Sequence, residues 1–189
     1  EFMLLAKRRV AEFIGRQRGR QRTMVYRVHD EPNSDKLVRF QSFILRFGYY
    51  FRADKGKAVA KAMNRLMDKI RGKVEENAIA TLAVRTMSKA FYTTDNIGHY
   101  GLAFPYYTHF TSPIRRYPDM MVHRLLASYL AGAKSPDKRA MEKLCESASE
   151  REEVAAAAER SSIKYKMTEF MVDKIGIEFD GDISSLKEW

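Results

Sequence analysis

Between Tyr107 and Arg124 the chain concentrates side chains suited to gripping an anion. They are Tyr107, His109, Thr111, Ser112, Arg115, Arg116, Tyr117 and His123, with Pro113 and Pro118 stiffening the backbone. Arginine presents five donors in a planar fork that matches a phosphate in bidentate fashion, and it keeps its charge at any physiological pH. Thr111 and Ser112 add hydroxyl donors just before Pro113, and proline favours the first turn of a helix. A helix starting there would aim unpaired backbone N–H groups at the same anion. Pro118 cannot donate to the carbonyl of Ile114, so the helix either kinks there or begins there, with residues 112–117 as a separate turn. Both arrangements hold Arg115 and Arg116 close to a helix N-terminus. The chemistry this favours is the binding of a nucleic-acid phosphate backbone.

Composition agrees with a polyanionic partner. Among 189 residues there are 34 Lys and Arg against 24 Asp and Glu, a formal net charge of +10. Residues 1–22 carry seven basic groups against Glu1 and Glu12, so the stretch from Gly15 to Arg22 is either a solvated loop or a phosphate contact. Hydrophobic residues at 45% and charged ones at 31% describe an ordinary globular chain with a real core. There is no run of eighteen apolar residues and no signal-peptide pattern, which speaks against a membrane span or secretion. The single Cys145 excludes an internal disulfide and fits a reducing cytoplasm; beside Met141 and Leu144 it reads as a buried structural thiol. His29, His99, His109 and His123 lack close ligand spacing for a metal.

The elements that must position these groups follow from periodicity. Helices are predicted over residues 1–15 (Phe2, Leu5, Val10, Phe13, Ile14), over 34–47 with Ser34 as cap and Gly48 as stop, over 57–70 and over 78–91. Strands are predicted over 24–28 and 98–104. Past the arginines, residues 120–130 form a helix with Met121, Leu125 and Tyr129 facing inward, and 131–136 a linker. Residues 137–173 form the longest helix, ended by Gly176. Residues 177–186 alternate like a strand, with Gly181 as a bulge. The expected fold is α+β and helix-dominated.

The stretch from Thr111-Ser112-Pro113-Ile114-Arg115-Arg116 to Tyr117-Pro118-Asp119 closely resembles the signature of the RNB family, the ribonuclease II and ribonuclease R type exoribonucleases. Glu1-Phe2-Met3-Leu4-Leu5-Ala6 resembles the helix preceding the central part of the family's catalytic domain, and residues 25–32 resemble its strand-and-turn. Residues 96–103 look like the strand leading into the signature, and 159–186 like the closing helix and the entry into a C-terminal OB-type barrel. The doubled arginine and the Arg27-Val28-His29-Asp30 run are closer to the bacterial ribonuclease R branch. The resemblance implies a C-terminal portion of an RNB catalytic domain over residues 1–176 and the start of a truncated OB-type RNA-binding barrel over 177–189.

Members of the family bind magnesium through a tight aspartate cluster near the start of the catalytic domain, and nothing here resembles it. The nearest acidic groupings are Asp180 with Asp182, and Glu150 with Glu152 and Glu153. The chain opens on Glu1 inside a helical pattern and stops at Trp189, so it reads as a fragment lacking the metal-binding part.

What the resemblance implies is a cytoplasmic, magnesium-dependent 3′→5′ exoribonuclease that degrades single-stranded RNA processively to 5′-mononucleotides. Arg115 then contacts the scissile phosphate and stabilises its transition state, and Arg116 helps to hold the strand or the local fold. Tyr107, His109, Thr111 and Ser112 are candidates for contact with phosphates or 2′-hydroxyls, with packing roles as the alternative. His123 reads as a satisfied core histidine and Tyr117 as a packing residue. Glu159 resembles a family glutamate near the 3′-terminal nucleotide, the alternative being a solvated helix-face glutamate. Lys7 stands where many members have Asn. Lacking the aspartates, the polypeptide alone is expected to be inactive. A non-catalytic RNA-binding module is the second reading; a helical interaction domain is the third, and it leaves the signature unexplained. Substrate identity, unwinding and oligomeric state stay open.

Overall fold

The computed structural model describes residues 1–17, 22–51 and 57–181. In chain order the elements are α1 (Phe2–Gly15), β1 (Tyr26–His29), α2 (Ser34–Leu45), α3 (Lys57–Ile70), α4 (Glu76–Thr86), β2 (Ala90–Thr93), α5 (Tyr117–Leu130) and α6 (Lys138–Met171). Short 3-10 turns lie at Tyr100–Leu102 and Val172–Lys174. The chain divides into two compact units, one formed by Glu1–His29 with Ala90–Glu178, the other built on Asp30–Lys89.

In the first unit β1 and β2 pair antiparallel, with Tyr26 opposite Thr93 and His29 opposite Ala90. A two-stranded ribbon is marginal alone. Here α6 packs across β2, and the segment after the 3-10 turn runs beside β1. The Arg27 N–H donates to the Tyr107 carbonyl at 3.0 Å, and the fully buried Thr108 hydroxyl donates to the Val25 carbonyl at 2.7 Å. Ile14, Met24, Val25, Val28, Tyr92, Val122, Leu125 and Tyr129 form the core beneath, closed by Cys145 of α6. Burial pushes the Cys145 thiol up to about 12, as expected of a structural cysteine.

Pro118 starts a helix and does not kink one. Arg116, extended at φ −125° and ψ 115°, is the N-cap residue of α5, and Pro118 sits in the first turn, where its missing N–H costs nothing. The Asp137 carboxylate caps α6 by accepting from the Ala140 N–H at 2.8 Å.

The second unit packs α4 against α2 and α3 around Leu37, Phe40, Ile44, Met63, Leu66, Ile70 and Ile79. Asn33, and not Ser34, caps α2: its side-chain oxygen accepts from the N–H groups of Asp35 and Lys36 at 2.9 and 3.3 Å.

Three further expectations need correction. The predicted helix over 78–91 stops at Thr86, because Met87 turns extended and residues 90–93 pair with β1. Local helical periodicity loses there to tertiary strand pairing. Residues 98–104 form no strand; His99 and Phe104 pair as an isolated bridge around the 3-10 turn, closed by Ala103 at φ +54°. Residues 177–181 are not a strand either: Ile177 and Phe179 stand 57% and 60% exposed, with no neighbouring strand among the described residues. The rest of that predicted strand, including Asp182, and residues 18–21 of the basic loop lie outside the described residues.

Candidate nucleic-acid interface

The turn before α5 is built by its own backbone. The Ser112 carbonyl accepts from the N–H groups of Arg115 and Arg116 at 3.3 and 3.0 Å, which folds residues 112–116 back on themselves. Asp119, fully buried in the first turn of α5, holds this fold in place. Its Oδ1 accepts from the Ser112 N–H at 2.7 Å and from Arg116 Nη2 at 3.0 Å. Arg116 Nε lies 2.9 Å from Oδ2, an ion-pair contact outside hydrogen-bond alignment. A buried carboxylate demands a partner, and Arg116 is committed to that task. Arg115 is exposed, and among the described residues it makes no side-chain hydrogen bond or ion pair.

Behind the turn lies a string of buried and half-buried polar rings. The Tyr92 hydroxyl meets His109 Nδ1 at 2.7 Å. Burial pushes Tyr92 up to about 12, whereas burial and then the Arg116 and Arg27 guanidinium groups push His109 down to about 3. At neutral pH the phenol therefore donates, His109 accepts on Nδ1, and the proton of the neutral ring sits on Nε2. Burial likewise lowers His99 to about 4 and raises Tyr107. The Arg27 guanidinium lies 4.5 Å from the Tyr92 ring centroid and binds the Glu152 carboxylate of α6 through both terminal nitrogens. From α1, Lys7 reaches the same region, where burial and then Arg116 lower its pKa.

A cavity of about 650 Å³ opens beside the turn, lined by Arg115, Arg116, Tyr117, Tyr92, Glu152 and Glu159 among others. Of the residues singled out from sequence, Arg115, Arg116 and Glu159 therefore share one cavity. Tyr107, His109, Thr111 and Ser112 do not line it. Tyr107 is buried, and His109 supplies no charge. Two packing expectations are overturned. Tyr117 is 48% exposed in the cavity wall. His123 is on the surface, stacked on Phe110 with ring centroids 4.0 Å apart, and its Nε2 pairs with the Phe110 carbonyl at 2.8 Å. Sequence reasoning missed Tyr92, Arg27, Glu152 and Asp119 as parts of the site. Only Asp119 carried a local signal, an acid three residues after Arg116 in the first turn of a helix.

No three His, Cys, Asp or Glu side chains among the described residues gather as a metal-ligand group. Asp119 is spent on Arg116 and Glu152 on Arg27, and Glu159, the other carboxylate of the cavity lining, joins no ligand group among the described residues.

The model of the RNB domain matches residues 1–132. The chain belongs to the RNB-domain family. As an RNB chain it is 40% identical over 170 residues to Ribonuclease R 1 of Lactococcus lactis, covering 86% of this chain and 20% of that protein. It is 34% identical over 197 residues to Ribonuclease R of Thermotoga maritima, covering 100% of this chain and 27% of that protein. The RNB chain thus spans about a fifth to a quarter of the length of these relatives. Among solved structures, Mycoplasma genitalium RNase R in complex with ribose-methylated single-stranded RNA matches at a TM-score of 0.86 and 28% identity, over 98% of this chain and 30% of that one. Yeast Ssd1, a pseudonuclease, matches at a TM-score of 0.65 and 29% identity, over 78% of this chain and 18% of that one.

Proposed function

We propose that this chain forms the arginine-bearing side of the site of a cytoplasmic 3′→5′ exoribonuclease acting processively on single-stranded RNA and releasing 5′-mononucleotides. In this reading residues 1–176 are the C-terminal portion of the catalytic domain, and 177–189 lead into an OB-type barrel. The observation that carries it is the division of labour between two adjacent arginines: Arg116 is consumed by Asp119, and Arg115, with no side-chain partner among the described residues, stands over a cavity.

Arg115 donates to the non-bridging oxygens of the scissile phosphate, where charge grows as the phosphodiester is hydrolysed. Arg116 and Asp119 fix the turn that aims it. Glu159, across the cavity, accepts from a hydroxyl of the 3′-terminal sugar, and Tyr117 supplies an exposed ring for a base. Tyr107, His109, Thr111 and Ser112 support the strand from behind as neutral groups. A divalent metal, magnesium in this reading, would supply an activated water, held by residues other than the described ones of this chain. The 189-residue polypeptide is accordingly inactive by itself. Incubation with 5′-labelled single-stranded RNA and magnesium should leave the RNA intact on a denaturing gel. A ladder shortening from the 3′ end, abolished by Arg115→Ala, would contradict this.

The second reading, an RNA-binding module without chemistry, gains support from the likeness to the pseudonuclease Ssd1. An aspartate cluster in the longer protein separates the two, since only the enzyme requires it.

A further inference from the structure

A second cavity of the first unit, about 850 Å³, shares no lining residue with the one beside Arg115. It opens where the end of α1, the start of β1 and the turn after β2 meet, and Gly15, Gln17, Arg22, Tyr26, Asn96 and Tyr106 line it. Gly15 allows the wall to close, since a Cβ there would lie 2.5 Å from the Tyr26 hydroxyl and 2.8 Å from the Tyr106 ring.

Charge sets this cavity apart. Lys138 on its rim is neutralised by Asp95 at 2.5 Å. Arg22 has no ion pair among the described residues: its guanidinium lies over the Tyr129 ring, 4.7 Å from the centroid. Arg16, beside the cavity and not in its lining, lies over the ring of the lining residue Tyr106 at 5.4 Å. Neither has a carboxylate partner within ion-pair distance among the described residues. A guanidinium resting face-on against a tyrosine keeps its charge and leaves its in-plane N–H donors free. Tyr129 is itself pinned, its hydroxyl donating to the Thr23 carbonyl at 2.6 Å. Two cations are thus held in place by rings, with no side-chain hydrogen bond among the described residues. Tyr92 lines the Arg115 cavity and Thr94 this one, two residues apart along an extended chain, roughly 7 Å.

We propose that this second cavity binds the phosphodiester backbone of single-stranded RNA, with Arg22 and Arg16 as its phosphate contacts. The proposal rests on the reading of the chain as an RNA-handling module, and it gives Arg16 and Arg22 a specific task.

The test is filter binding of a short labelled oligouridylate to the 189-residue chain across a salt series. It compares the wild type, the double variant Arg16→Gln/Arg22→Gln, and Lys138→Gln, whose charge is already met by Asp95. The double variant should bind about tenfold more weakly at physiological salt. Its plot of log affinity against log salt should be shallower by about 1.4, ~0.7 for each lost phosphate contact. Lys138→Gln unmasks the Asp95 carboxylate in the cavity wall and should weaken binding as well. Arg22→Lys guards against misfolding, because it keeps the charge and should retain most of the affinity. Wild-type affinity in the double variant overturns the proposal and leaves the RNA reading standing. Absence of oligouridylate binding by the wild type overturns both. Binding to anionic phospholipid vesicles but not to oligouridylate overturns both in favour of a membrane surface.

Discussion

The carboxylate of Asp119 and the guanidinium of Arg116 close on each other across Pro118, and that pairing decides which of two adjacent arginines is available to a ligand. Asp119 is fully buried and the Arg116 side chain is 18% exposed, so neither can be released to solvent without cost. Arg115, one residue earlier, has no such tie.

Breaking the pair should therefore be a stability lesion and not only a binding lesion. Asp119→Asn leaves the Arg116 charge nearly buried and unpaired, and should cost about 3 kcal/mol. Urea unfolding should show a lower midpoint at an unchanged slope. Arg115→Ala should stay within about 0.5 kcal/mol of wild type, as suits an exposed, unpaired side chain. Equal losses in the two variants would remove the distinction on which the site is built.

Acid should weaken the fold before the carboxylates titrate. His109 and His99 are held down to about 3 and about 4 from an ordinary value of 6.5. Between those values the unfolded chain binds more protons than the native one, so stability rises with pH there. It is fully present above about 6.5 and is lost progressively as the pH falls toward 4. Urea midpoints should decline between pH 7 and 5, and the His109 ring should show no NMR titration in that interval. A ring titrating near 6.5 would mean that His109 is solvated and free to carry charge.

Helices were the legible part of this fold. α3 and α5 follow apolar periodicity within a few residues of expectation, because each buries one face (Val59, Met63, Leu66 and Ile70; Met121, Val122, Leu125 and Tyr129), whereas α6, which buries Cys145, was legible from its strong helix formers. β2 was hidden: Ala90 to Thr93 continues the apolar pattern of α4, and only pairing with β1, far away in sequence, makes it a strand. The same distance hid the site's supports. Arg27 meets Glu152 and Tyr92 meets His109 through tertiary contacts, whereas the two arginines and the proline announce themselves locally. Asn33 took the cap from Ser34 because either residue can serve, and the chain enters α2 one residue earlier than the sequence suggested.

Gly15→Ala offers a check on packing against propensity. Alanine favours a helix by about 1 kcal/mol over glycine. The added Cβ would nonetheless lie 2.5 Å from the Tyr26 hydroxyl and 2.8 Å from the Tyr106 ring. Overpacking of this kind costs about 1–3 kcal/mol, so the melting temperature should fall. A rise would mean that the two tyrosines yield easily and that the cavity wall is soft.

The Arg27–Glu152 pair ties α6 to the sheet, with the Glu152 side chain 42% exposed. A double-mutant cycle with Arg27→Ala and Glu152→Ala should give a coupling energy of about 1 kcal/mol. Coupling near zero would mean that α6 is held over the cavity by apolar packing alone.

The central claim is that Arg115 acts on the phosphate in the transition state, and kinetics on the complete protein test it most directly. Single-turnover rate and RNA affinity should be measured side by side for wild type and Arg115→Ala. The account predicts a fall in rate of about a hundredfold or more, with affinity changed by only a few-fold. A large loss of affinity with turnover unchanged would contradict it, leaving Arg115 as a strand-holding residue and the chemistry elsewhere.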